Sequence, residues 1–326
     1  MWELMALYGA VVAWGSIRLS RRRLRRWREA ATASGLTVEE ISNDWSWALR
    51  IKAREGPLEV RIEQPSRARD HDCSIAVLVP GPPGFSGIRI RPEAKRFGAH
   101  EVEIGDEPFD KAFYIVGPMR LLFALLDAET RHLLLSVNAG GQMLEIVGGE
   151  LRVKAHDSQI DLLLRLLLDI GRRFAQPLDA AQRLAENARR DPDAEVRLRN
   201  LLLLTREFPA EPATREALRT ACADKSPRIR LRAAKELGTE GREVLLEVAE
   251  ATTDDLLSAE AVSLLGQDLP VERTRAILLQ SLRKRLHRTA RACIEALGRS
   301  TAAVVPTRAS AFAAAAWRSA CSAWSA

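Results

Sequence analysis

A chain of 326 residues is long enough for two or three domains, and a content of 47% hydrophobic and 28% charged residues is that of a folded protein. Residues 1–35 hold seven arginines and two glutamates, whereas the remainder has 42 basic and 41 acidic residues. A body so close to neutrality gives no support for nucleic-acid binding, which needs a basic stripe. Four scattered cysteines without a CxxC motif argue against a zinc site, and we expect no cofactor.

The first predicted segment, residues 1–35, combines an apolar stretch with a basic one. Leu4–Ile17 carries no charge, and the arginine-rich run Arg18–Arg28 follows it. This order predicts a hydrophobic N-terminal helix that attaches the chain to a membrane and leaves the body on the cytoplasmic side. Fourteen helical residues span only about 21 Å, less than the roughly 30 Å of a hydrocarbon core. The alternative is therefore a buried helix in a soluble cytoplasmic protein.

Residues 36–176 have the pattern of an α+β domain. Apolar and polar residues alternate from Trp45 to Ile51 and again from Leu58 to Ile62, on both sides of "REGP", which predicts a β-hairpin. A second hairpin is predicted to turn at Gly148 and Gly149. Further short strands are predicted over "CSIAVLVP", "GIRIR", "EVEIG" and "YIVG". Helices are predicted over 118–137 and 158–174.

The stretch "GDEPFDKAFYIVG", from Gly105 to Gly117, contains three carboxylates that invite a functional interpretation. Asp106, Glu107 and Asp110 have the chemistry of a cation site or an acid–base pair. The same residues fit a capped turn, since Asp106 precedes Glu107 and Pro108 and no histidine or glycine-rich loop accompanies them. We favour the turn, and no catalytic or metal-binding residue is predicted in the chain.

A repeat begins near residue 179. "DKSPRIRLRAAKELG", from Asp224 to Gly238, matches "DPDAEVRLRNLLLLT", from Asp191 to Thr205, after a shift of 33 residues. Two weaker copies, "LLSAEAVSLLG" and "RTARACIEALG", end at Gly266 and Gly298. Helices are predicted before the four copies, over 179–190, 213–223, 242–252 and 272–286. A repeat of this length in a sequence with helical periodicity predicts stacked helix pairs.

This pattern resembles the HEAT repeat, as found in uncharacterised bacterial proteins with an N-terminal hydrophobic helix and an α+β domain. The resemblance covers about residues 179–299. It implies an all-α solenoid of about four helix pairs over 177–299, before an alanine-rich tail at 300–326. It also implies a ladder of charged residues between neighbouring repeats, made of Asp191, Arg197, Asp224 and Arg230. The apolar seam of the repeats is predicted at Val196, Leu204, Ile229, Leu237, Leu265 and Leu297.

The resulting expectation is a non-enzymatic scaffold that binds another protein at the cytoplasmic face of a membrane, with membrane contact through residues 1–28 and no nucleic-acid partner. A nucleic-acid function is the alternative, and it needs five basic residues to converge: Arg199, Arg232, Arg283, Lys284 and Arg285. A lyase or chaperone of the HEAT-like kind found in bilin metabolism is less favoured, because the sequence shows no convergent acid or base.

Overall fold

The computed structural model describes residues 20–43, 49–64, 72–92, 101–139, 142–251 and 253–304. An antiparallel sheet with helices comes first and helices alone follow, so the predicted order of an α+β region and an all-α region is confirmed. The predicted apolar helix over Leu4–Ile17, the tail from 305 onwards, and Trp45 and Trp47 lie outside the described residues. None of the described helices combines the length and apolar character that crossing a bilayer requires.

Eight strands of the described chain form one antiparallel sheet. They are β1 Thr37–Asn43, β2 Leu49–Glu55, β3 Leu58–Glu63, β4 Asp72–Leu78, β5 Arg89–Pro92, β6 Phe113–Val116, β7 Glu145–Val147 and β8 Glu150–His156. Their order is β1-β2-β3-β4-β8-β7-β5-β6. Alternate residues of β2 and β3 are buried, as the period of two predicts. Both predicted hairpins are confirmed, whereas the sequence does not predict the edge strand β1.

Among the described residues, seven α-helices accompany or follow the sheet as far as residue 207. They are α1 over 20–33, α2 Glu107–Ala112, α3 Met119–Leu125, α4 Ala128–Ala139, α5 Ile160–Ala175, α6 Ala180–Arg190 and α7 Ala194–Glu207. Helix α5 packs against β3, β4 and β8. Gly171 lies at a close approach of helix and sheet, since a Cβ there would be 3.3 Å from Val77 and 3.4 Å from Leu58.

The predicted strand over "EVEIG" is wrong. Residues 101–104 have no regular secondary structure, although the N–H of Val102 donates to the carbonyl of Ile115 at 2.9 Å. The N–H groups of Ile104 and Gly105 donate instead to the carboxylate of Asp110, at 2.9 Å and 2.8 Å. A side chain therefore takes the donors that a neighbouring strand would need.

The predicted helix over 118–137 is two helices. Helix α3 ends at Leu125, and α4 begins at Ala128. Asp127 separates them, because its carboxylate accepts the N–H of Thr130 at 2.8 Å and caps the start of α4. Asp127 marks the start of a second helix. The apolar periodicity continues on both sides of it, so the sequence pattern predicts one helix.

The chain divides into two compact units, Met1–Leu203 and Leu204–Ala326. The first includes α6 and most of α7, whereas the predicted domain boundary falls at 176–177. Helix α6 packs on α3, where Asn187 Nδ2 donates to the carbonyl of Phe123 at 2.8 Å. These contacts join the first repeated helices to the α+β region.

The C-terminal unit consists of helices in the order that the repeat predicts. They are α8 Pro212–Ala221, α9 Pro227–Leu237, α10 Arg242–Ala251, α11 Asp255–Leu265, α12 Val271–Arg283 and α13 His287–Val304. Gly238 and Gly266 follow α9 and α11 with φ of 60° and 53°, which a glycine adopts without steric cost. Gly298, the last residue of the fourth copy, does not end a helix in the same way, because α13 continues through it to Val304.

Candidate functional site

Asp106 begins a capped turn, as the favoured interpretation predicts. The N–H of Phe109 donates to Asp106 Oδ1 at 3.2 Å, and Pro108 occupies the first helical turn. Phe109 and Phe113 are buried with their ring centroids 5.1 Å apart. The turn is thus fixed to the core through aromatic packing.

The other two carboxylates of this stretch have separate partners. Glu107 is exposed and pairs with Lys111, which lowers the pKa of the glutamate. Burial raises the pKa of Asp110, against the opposing effect of the N–H groups of Ile104 and Gly105. In the part of the chain that the structure describes, no group of three or more His, Cys, Asp or Glu side chains is arranged to hold a metal ion.

Asp106 has a second partner that the sequence does not reveal. Arg131 is 2% exposed, and its Nε donates to Asp106 Oδ2 at 2.7 Å. Its two terminal nitrogens donate to the carboxylate of Asp191 at 2.9 Å and 3.1 Å, and one of them also donates to the carbonyl of Leu126 at 3.0 Å. One buried arginine thus joins the capped turn, the start of α4 and the loop before α7.

The ladder residues of the two well-matched repeats have the same local geometry. In each copy the guanidinium donates to the carbonyl of the aspartate, with Arg197 at 2.8 Å from Asp191 and Arg230 at 2.9 Å from Asp224. Each aspartate carboxylate also accepts the N–H two residues further on, at 3.0 Å and 2.7 Å. The arginine therefore closes the loop before its own helix, and charge pairing between neighbouring repeats stays a prediction.

The predicted seam residues differ in burial. Val196, Leu204, Ile229 and Leu265 are buried. Leu237 and Leu297 are only partly buried.

The two weaker copies replace the arginine by smaller residues. Ser258 is buried and donates to the carbonyl of Val248 at 3.2 Å. Asp255, at the start of α11, accepts the N–H of Thr289 at 2.8 Å, its hydroxyl at 2.9 Å, and the N–H of Arg288 at 3.1 Å. Burial alone raises the pKa of Asp255, but these hydrogen bonds lower it below its ordinary value overall. Backbone donors thus tie α11 to α13.

Helix α1 is fixed to the sheet by residues of the arginine run. Trp27 is fully buried, and its Nε1 donates to Asp157 Oδ1 at 3.0 Å. Arg23 Nε lies 2.6 Å from Asp157 Oδ2, and its guanidinium carbon lies 5.2 Å from the centre of the Trp27 ring. Part of the run therefore has a structural role that the sequence does not predict.

The basic residues of the nucleic-acid alternative have different surroundings. Arg199 pairs with Glu195 at 3.0 Å and lies 3.4 Å from Glu103, and Arg232 pairs with Glu236 at 2.9 Å. Arg283, Lys284 and Arg285 are exposed at the end of α12 and in the connection that follows it. The first two arginines thus have carboxylate partners, and the last three basic residues are exposed at consecutive positions of the chain.

Two buried thiols lack the properties of a nucleophile. Burial raises the pKa of Cys73 to about 12 and that of Cys293 to about 11. Both side chains are therefore protonated at neutral pH, whereas the reactive form of a cysteine is the thiolate.

Comparison with known proteins gives little beyond this geometry. No family model matches the chain, and no curated protein matches it. Among solved structures, the mycobacterial trehalose monomycolate transport factor A, TtfA, aligns with a TM-score of 0.34 and 12% identity, over 49% of this chain and 96% of that chain. A similarity at this level carries no conclusion about function.

Proposed function

We propose that this protein is a non-enzymatic adaptor that binds an anionic membrane through its N-terminal segment and a partner protein through HEAT-like helix pairs, on the cytoplasmic side. The membrane half of the proposal is supported by helix α1. The protein half is supported by the helix pairs of the C-terminal unit, because stacked pairs offer extended surfaces to partners.

The observation that carries the proposal is the arginine face of α1. It consists of the exposed side chains Arg21, Arg22, Arg25, Arg26 and Arg28. The opposite side of the helix is held by Trp27 and Arg23, which both contact Asp157. Among the described residues, Arg23 is the arginine of α1 that has a carboxylate partner. The fold therefore presents five guanidinium groups together on one ordered helix.

Charge and sequence position favour a bilayer as the ligand of this face. Each basic residue near an anionic leaflet contributes about 1 kcal/mol of binding free energy. The face follows directly after the uncharged stretch Leu4–Ile17, which supplies apolar surface for the same membrane. Duplex DNA offers phosphates too, but it offers nothing to the apolar stretch.

A vesicle experiment tests this function with the full-length chain. We expect it to bind phosphatidylserine-containing vesicles at least about tenfold more tightly than neutral phosphatidylcholine vesicles. Changing four arginines to glutamine should abolish this preference: Arg21, Arg22, Arg25 and Arg26. The matched control changes four exposed arginines elsewhere in the same unit and should retain it: Arg89, Arg91, Arg120 and Arg165.

Two results would contradict the proposal. Equal binding to the two kinds of vesicle would remove the role of the arginine face. Sub-micromolar binding of duplex DNA with a steep salt dependence, lost in the α1 variant, would support the nucleic-acid function instead.

A further inference from the structure

Helix α12 exposes an apolar stripe and buries polar side chains. Its buried face consists of Thr274, Ile277 and Ser281. Its outer face includes Leu279, which is 57% exposed, and Leu282, which is 43% exposed, one turn further on. Charged side chains such as Glu272 and Arg275 are exposed on the same helix. The two leucines therefore leave apolar area on the outer face of α12 that a partner can cover.

The end of this stripe is strongly basic. Residues 283–288 include three arginines, one lysine and no acidic residue, and the N–H of Arg288 donates to the carboxylate of Asp255. Arg283, Arg285 and Arg288 are exposed where α12 passes into α13. We call this surface, together with Leu279 and Leu282, the α12–α13 corner. Its apolar and cationic groups lie within about two helical turns of sequence.

A cleft of about 350 Å³ opens in the corner. Its lining combines apolar and polar side chains, from Ser281, Leu282, Arg285, Leu286, His287 and Ala290. Arg285 has a φ of 58°, whereas every other positive φ in the described residues belongs to a glycine. This left-handed backbone ends α12, since the N–H of Leu286 donates to the carbonyl of Ser281 at 2.8 Å and the N–H of Arg285 to that of Leu282 at 3.2 Å.

We propose that the α12–α13 corner binds an acidic amphipathic helix of a partner protein. This deepens the proposed adaptor function and rests on it. The leucines of the corner would cover the apolar face of the helix, and Arg283, Arg285 and Arg288 would meet carboxylates along its edge. This is helix-in-groove recognition, in which apolar anchors supply affinity and charges fix the orientation.

Charge disfavours the nearest alternative occupants. A twofold dimer through this surface would place one basic corner against another, and the tail from residue 305 has two arginines and no acidic residue. An extended anionic membrane would also approach exposed carboxylates of the same two helices, Glu272 on α12 and Glu295 on α13. The corner therefore suits a discrete acidic segment better than an extended anionic surface.

The test uses the full-length chain and a fluorescein-labelled helical peptide with leucines on one face and glutamates along both edges. We expect saturable binding that weakens with added salt, and no binding of the same peptide with lysines in place of the glutamates. Leu279→Ala and Leu282→Ala should each weaken binding by about tenfold. Leu162→Ala, at a 63% exposed leucine of α5, is the matched control and should leave it unchanged.

Arg285→Gly separates binding from folding. Glycine accepts the left-handed backbone, so this variant should be at least as resistant to thermal unfolding as the wild type. It should nevertheless bind the peptide about five to tenfold more weakly, since one cation of the corner is lost. Arg285→Lys keeps the charge and should restore most of the affinity.

Three outcomes would overturn the corner as a peptide site. In the first, the wild type fails to bind the acidic peptide. In the second, the variant with both leucine substitutions binds the peptide as well as the wild type does. In the third, the corner variants lose binding to anionic vesicles while peptide binding is unchanged, which would make the corner a lipid site. The preference for anionic vesicles is assigned to the arginine face of α1. Its loss or retention in the α1 variant therefore tests the adaptor function independently of the peptide site.

Discussion

Replacing Arg131 with methionine should destabilise the N-terminal unit severely, because the arginine connects two carboxylates inside it. Asp191 has a side chain only 1% exposed, whereas that of Asp106 is 20% exposed and keeps its bond from the N–H of Phe109. Methionine fills much of the space but leaves Asp191 charged and buried. Removing one member of a buried ion pair costs about 3–5 kcal/mol.

A double-mutant cycle separates this charge effect from packing. Combining Asp191→Asn with Arg131→Met removes both buried charges of this pair. The free energy of unfolding of the double variant should therefore exceed the value expected from adding the two single losses, by about 0.5–3 kcal/mol. The surface control is Arg190→Met, which removes an arginine whose side chain is 70% exposed and paired with Glu186. It should cost no more than about 0.5 kcal/mol.

Urea unfolding of the full chain measures these free energies, and hydrogen exchange at residues 104–112 and 191–196 locates the loss. We expect faster exchange in both segments after Arg131→Met, since the guanidinium contacts both. A cost below about 1 kcal/mol, or strictly additive losses in the cycle, would refute the idea that this arginine holds the two segments together.

Two further predictions concern the repeats. Arg230→Ala should lower the free energy of unfolding by about 1–3 kcal/mol, because its guanidinium holds the carbonyl of Asp224. Arg232→Ala breaks only a surface pair with Glu236 and should cost about 0.5 kcal/mol or less; equal losses in urea would contradict this. Asp255→Asn should destabilise the chain at neutral pH. Since the pKa of Asp255 is lowered in the fold, its stabilisation is present above the unfolded pKa and lost as pH falls through the folded pKa. The difference from wild type in thermal unfolding should therefore shrink in acid, and a constant difference would refute it.

Elements with local signals were predictable from the sequence. The alternation of β2 and β3 reflects a sheet with one covered face, and the periodicity of α5 reflects a helix packed on that face. The helix pairs followed from a repeat that is visible in the text itself. In each case the apolar side chains that form the sequence pattern are the ones that pack the element into the fold.

Features that depend on distant residues were not predictable. Asp110 removes a strand by accepting the N–H groups of Ile104 and Gly105, which no propensity signals. Arg131 has no local mark of burial, because its partners Asp106 and Asp191 lie 25 and 60 residues away in the sequence. The outer leucines of α12 satisfy the helical period, and only the structure reveals that they point away from the core.

Recruitment of a peptide to vesicles tests the adaptor function most directly. Anionic vesicles are mixed with the full-length chain and the labelled acidic peptide, and floated through a density gradient. We predict that the peptide floats only when the protein is present, and that much less of it floats with either the α1 arginine variant or Leu279→Ala. A peptide that floats equally well with both variants, or that never floats although the protein does, would contradict an adaptor that joins a membrane to an acidic partner.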